Sequence, residues 1–153
     1  MSKVPHNTYA QQQVMFSSPA KLVAMCYEKT ISCLQEAIAA IERGDIEGRW
    51  KANSKAMEII SHLWATLDLE RGGDIARNLD ALYNTMMHRL PQVDFKNDPQ
   101  PALDVIKLLE PLRDAWVQLA AQNQPAPAPI PATAPASTTT PSSASAPNLS
   151  FSA

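Results

Sequence analysis

Ser18-Pro19-Ala20-Lys21-Leu22-Val23-Ala24-Met25-Cys26-Tyr27 opens a pattern that continues without a break to Arg43. Ser18 offers an N-cap hydroxyl, Pro19 occupies the first helical position where a missing N–H costs nothing, and Gly44 supplies a left-handed stop. At about 100° per residue, Leu22, Val23, Cys26, Tyr27, Ile31, Cys33, Leu34, Ala37, Ile38 and Ile41 cover roughly half the circumference. Lys21, Glu28, Ser32, Gln35, Glu42 and Arg43 hold the other half. A surface helix needs an apolar stripe a little over 100° wide to reach a core, so this arc is wide enough to touch two neighbouring helices.

Gly44-Asp45 forces the next helix to double back, with Asp45 as its cap. Ile46, Trp50, Asn53, Met57, Ile60, Trp64 and Leu67 follow at three-and-four spacing, widened by Ile59 and Leu63, and predict a second core-facing stripe. Asn53, the polar member, reads as a core amide bonded to a neighbour. Gly72-Gly73 breaks the chain again, and Asp74 opens a third helix with Ile75, Leu79, Leu82, Met86 and Leu90 as its buried line, Tyr83 and Met87 beside it. Leu90-Pro91 ends that helix, and a longer loop is expected up to Asp98-Pro99, an N-cap followed by a first-turn proline. The last helix, about 99–122, turns Val105, Leu109, Leu112, Trp116 and Leu119 inward with Ile106 and Leu108 on the flanks. Pro111 falls on its polar stripe, where a bend around the core is expected. The fold class expected is all-α, an antiparallel up-and-down four-helix bundle over 18–122.

The flanks differ from this body. Residues 1–17 have weak periodicity but carry Tyr9, Val14, Met15 and Phe16, too apolar for a free tail, and are expected to dock on the body as a cap. Residues 123–153 are rich in Pro, Ala, Ser and Thr with no charged residue, and are expected to be a disordered tail because they cannot bury enough apolar surface to offset their ordering entropy.

A net charge of -2 with no basic cluster gives no footprint for nucleic acid, and no polybasic amphipathic segment or window of roughly 20 apolar residues points to membrane insertion. The N-terminus lacks the apolar core of a signal peptide, so a cytosolic location is expected. Cys26 and Cys33 are seven residues apart on one helix, about 10.5 Å along its axis, and read as reduced core thiols. Glu58 and His62 read as a solvated i,i+4 pair, and no glutamate is followed three residues later by the histidine of a di-iron bundle. No phosphate loop, nucleophile elbow or catalytic carboxylate pair is present. The expectation is therefore no enzyme, no catalytic residue, no metal and no cofactor.

What remains is apolar surface. The first and last helices present arcs wider than one core consumes, and either these pack only on each other and on residues 9–16, or they form a groove for an apolar helix of a partner. On the second alternative Met25, Ile106 and Leu108, together with Tyr9, Val14, Met15 and Phe16, are the candidate contact residues.

An ordered set of residues resembles the flagellin-specific export chaperones, the FliS family of bacterial flagellar type III secretion. It comprises Tyr9; Ser17-Ser18-Pro19 with Leu22 and Tyr27-Glu28; Ala56 with Ile59-Ile60 and Leu63; Leu67-Asp68; Gly72-Gly73-Asp74-Ile75-Ala76; Asn78-Leu79 with Leu82-Tyr83; Arg89-Leu90; and Ala115-Trp116. Lys29, Pro91-Gln92-Val93-Asp94 and the tail after Gln122 depart from it. The resemblance implies an antiparallel helical bundle that binds the C-terminal region of flagellin, prevents premature polymerisation and presents flagellin to a component of the export gate. It implies too an N-terminal segment that covers part of the flagellin-binding surface. A different class of function, an adaptor or regulator holding another flagellar protein such as an anti-sigma factor in the same groove, is compatible with the same residues.

Overall fold

The computed structural model describes residues 18–122. Its helices are α1 (Pro19–Glu42), α2 (Ile46–Ala65), α3 (Gly73–Arg89), α4 (Pro91–Lys96) and α5 (Gln100–Gln122). α1 packs along both α2 and α5, and α3 closes the square against the same two, so the four long helices form the expected up-and-down bundle.

The ends are set by local chemistry. The Ser18 hydroxyl accepts from the Lys21 N–H at 3.2 Å, Asp45 accepts from Gly48 at 2.8 Å, and Asp98 from Gln100 at 2.9 Å. Gly44 turns with φ 71°, a conformation that costs a side-chain-bearing residue about 1 kcal/mol or more. α5 runs through Pro111 unbroken, with the proline on the exposed side where its missing donor faces water.

The core is filled by Tyr27, Leu34, Ile60, Tyr83, Met86, Leu90, Val105 and Leu109. Asn53 is fully buried; its amide nitrogen donates to the Leu90 carbonyl at 2.8 Å and to Asp94 at 2.7 Å, while its Oδ1 accepts from none of the described residues. Trp64 keeps its ring half-buried by donating its indole N–H to Asp80 at 2.6 Å. Both cysteines are free, and burial pushes both thiols up from the ordinary range. Glu58 and His62 approach only to 4.0 Å on the exposed face.

Three expectations need correction. First, the α2 stripe does not begin with Ile46 and Trp50, which are 67% and 58% exposed. Asn53 lies opposite Leu90 and Trp64 opposite Asp80, so α3 reaches its end beside Asn53, and the first two turns of α2 extend past it, leaving the face that carries Ile46 and Trp50 with no part of α3 opposite. The side chains buried in those turns are Arg49 and Ala52. Secondly, the stretch between Leu90 and Asp98 is not simply a loop: Pro91 starts the short helix α4, which buries Val93 and ends at Asn97 with φ 52°. Arg49 Nε donates to Asp94 at 3.0 Å and Arg49 Nη1 to the Asn97 side chain, fastening α4 to α2. Thirdly, Ile75 and Leu119, assigned to core stripes, are exposed because both lie near bundle ends. Since Trp50 already spends most of its surface in water, Trp50→Ala is expected to change unfolding free energy by only about 0.5 kcal/mol, checked by urea denaturation.

Among the described residues no helix is long and apolar enough to cross a membrane, and no group of three or more His, Cys, Asp or Glu side chains is arranged to hold a metal.

Candidate functional site

An apolar cavity of about 500 Å³ opens at the end of the bundle where α1 and α3 begin and α2 and α5 finish. Val23 from α1, Leu63 and Leu67 from the end of α2, Ile75 and Leu79 from α3, and Trp116 from α5 supply its apolar walls. A second apolar cavity of about 390 Å³ shares Val23 and Leu63 and extends along the α1–α2 seam past Leu22, Cys26 and Ile59. The α2–α3 connection, 66–72, borders this opening, with Thr66, Leu67, Asp68, Arg71 and Gly72 in its lining. Asp68 organises that connection, accepting from the Glu70 and Arg71 N–H groups at 3.1 and 3.0 Å. Gly72 lets it come close to α3: a Cβ there would stand 2.7 Å from the Asp68 carbonyl oxygen and 2.4 Å from the Ala76 methyl.

The floor is aromatic. Tyr83 reaches across the bundle to a hydroxyl–hydroxyl hydrogen bond with Tyr27. Burial pushes both phenols above the ordinary tyrosine range; at Tyr83 the bond to Tyr27 adds to the rise, and at Tyr27 the bonds to Tyr83 and Trp116 oppose it. Both are therefore neutral at any physiological pH. Cys26, raised by burial, is a thiol rather than a thiolate and so a weak nucleophile. Apolar walls, neutral phenols and an exposed rim residue, Ile75 at 74%, suit capture of an apolar side-chain cluster.

Of the residues expected from sequence to contact a partner, Ile106 belongs to the core at 8% exposure. Met25 and Leu108 are half-buried, and none of the three lines either apolar cavity. Tyr9, Val14, Met15 and Phe16 lie outside the described residues. The cavity residues themselves were readable only as ordinary core positions, but another signal was present. Leu63, Leu67, Asp68, Gly72, Ile75, Ala76, Leu79, Tyr83 and Trp116, nine of the twelve residues lining the larger cavity, belong to the ordered set quoted above for its resemblance.

Comparison with known proteins agrees with that set. The family model described as flagellar protein FliS matches residues 1–123. The chain is 40% identical over 111 residues to the flagellar secretion chaperone FliS of Salmonella typhimurium, covering 72% of this chain and 82% of that protein. It is 39% identical over 107 residues to the protein of the same name from Vibrio cholerae, covering 70% and 79%. With the Bacillus subtilis chaperone the identity is 32% over 114 residues, covering 74% and 84%. A helical bundle carrying the family's ordered residues around one apolar cavity, matched by the family model over its whole length and by relatives at these identities, belongs to the FliS family of flagellar secretion chaperones.

Proposed function

We propose that this chain binds the C-terminal segment of flagellin through the apolar cavity and its extension along the α1–α2 seam. By holding that segment it keeps flagellin from polymerising in the cytosol and presents it to a component of the export gate, with no chemical step and no cofactor. The observation that carries this reading is the coincidence of the family's ordered residues with the lining of the larger cavity. An apolar opening of this size attracts an amphipathic helix by its anchoring side chains, and the loss of water from both surfaces supplies the affinity. Val14, Met15, Phe16 and Tyr9 fit the same reading as a reversible cover, because the chain preceding Ser18 enters α1 only one turn before Leu22 and Val23, which line the cavities.

Titration calorimetry with flagellin and with flagellin lacking its C-terminal segment tests the docking. Full-length flagellin is expected to bind and the truncated form to lose at least tenfold in affinity; equal binding by both would place the contact elsewhere. For the cover, hydrogen exchange of residues 9–16 should quicken when flagellin binds, and unchanged protection would mark a permanent anchor.

A further inference from the structure

At the end of the bundle where α2 begins, Ile46 and Trp50 stand in water, and so does Phe95 of α4, which is 87% exposed. The hydrogen bonds between the two helices show that these side chains share one side. Asn53 donates to the Leu90 carbonyl and to Asp94, and Arg49 donates to Asp94 and Asn97, so the contacts step back along α2 as the chain advances through α4. α4 therefore runs antiparallel to the first turns of α2. Trp50 follows Arg49 and Phe95 follows Asp94, and one step of about 100° on each of two antiparallel right-handed helices carries both side chains to the same side of the pair. Val93, one step back from Asp94, turns the other way and is fully buried, which marks the side holding Trp50 and Phe95 as the outer one. Ile46 lies one turn before Trp50 on that face. At these exposures the two rings and Ile46 leave on the order of 400 Å² of apolar surface in water, as much as the largest patch of a typical monomer. The flank of the patch is charged in an ordered way. Glu47 and Lys51, each one residue past Ile46 and Trp50, pair at 2.9 Å with side chains 76% and 66% exposed, the acid nearer the start of α2 and the base one turn on.

We propose that this face docks a second copy of the chain, the two α2 helices lying antiparallel about a two-fold axis that crosses them near Gly48. Trp50 of each copy then packs on Ile46 of the partner subunit, and each Glu47 stands opposite Lys51 of the partner subunit, so that every carboxylate on the flank lies between two ammonium groups. A parallel pairing would turn the charged flank of one copy toward α4 of the other and lose that match. An apolar patch of this size closes an interface below about 1,200 Å², so the pairing is weak, with a dissociation constant on the order of 10–100 μM. Ile59, the first α2 residue on either apolar cavity, lies about 13 Å beyond Trp50 along the helix, so both cavities stay open in the pair.

Sedimentation of the full chain between about 5 and about 500 μM tests the pairing, with circular dichroism as the check on fold. The wild-type chain is expected to pass from monomer to dimer across that range. Trp50→Ala, which the bundle barely needs, should weaken the dimer by about tenfold or more, the loss expected of a central aromatic anchor. Lys51→Glu should weaken it by about threefold or more by setting carboxylate against carboxylate, and Glu47→Lys combined with Lys51→Glu should restore it, because exchanging the two charges keeps them opposite. A chain that stays monomeric at the highest concentration, or a dimer unmoved by Trp50→Ala, overturns the proposal. A dimer broken by Trp50→Ala but indifferent to Lys51→Glu overturns the antiparallel arrangement. Adding the flagellin C-terminal segment should leave the dimer in place whether or not the segment binds, and a segment that dissociates it would overturn the separation of this face from the cavities.

Discussion

Ile75→Asp is expected to weaken binding of the flagellin C-terminal segment by about 100-fold while leaving helix content intact. Ile75 lines the cavity yet is 74% exposed, so the bundle does not depend on it and a docked segment would cover it. Withdrawing its side chain from the complex removes about 1.5–3 kcal/mol of apolar burial, and a carboxylate in its place must also shed water against apolar walls. Folding should not suffer, because the third residue of α3 lies in the first turn, where a negative charge interacts favourably with the helix dipole. Calorimetry for affinity and circular dichroism for fold read the two effects separately. Unchanged affinity would remove the cavity from the binding surface. Met25→Asp is the informative companion, since Met25 borders neither apolar cavity: a larger loss there than at Ile75 would move the groove to the seam between the first and last helices.

Asp94→Ala should lower unfolding free energy by about 2–4 kcal/mol, read in urea at unchanged slope. Asp94 accepts from Arg49 at 3.0 Å and from the Asn53 amide at 2.7 Å, and Arg49 keeps only 10% of its side chain exposed. Removing the carboxylate leaves a buried guanidinium with the Asn97 side chain as its remaining partner, and the cost of such an orphaned charge exceeds the net worth of the pair. The partial exposure of Asp94, 22%, lets water reach the site and holds the loss toward the lower end of the range expected for a sealed ion pair. Arg49→Met combined with Asp94→Leu should recover most of it, because two apolar side chains need no partner. A loss below about 1 kcal/mol for Asp94→Ala would mean that α4 is held by Val93 rather than by the ion pair.

Ser18, Gly44, Asp45 and Asp98 were legible in the sequence because a cap is a bond to a residue two or three positions away, and everything it needs is contained in that short stretch. Helix faces were legible wherever a partner helix runs alongside for its full length: Tyr27, Leu34 and Ala37, Ile60 and Leu63, Leu79 and Met86 are buried as their spacing requires. Periodicity states which side chains share a face but not whether anything stands opposite. For that reason Ile46 and Trp50 read as core, and only the end of α3 beside Asn53 leaves them in water. The short α4 escaped notice because six residues are under two turns, too few for a period, and because a proline that stops one helix is also well placed to start the next.

The cavity was the least legible element. Val23, Leu63, Leu79 and Trp116 each have an ordinary place on a helical stripe, and the space between them lies where four helix ends meet the connection 66–72. The sequence by itself determined four amphipathic helices, their order, their caps and the family to which they belong. The tertiary structure decided where the helices fail to fill the space between them, because a void is a property of how separate segments meet, and no single segment encodes it.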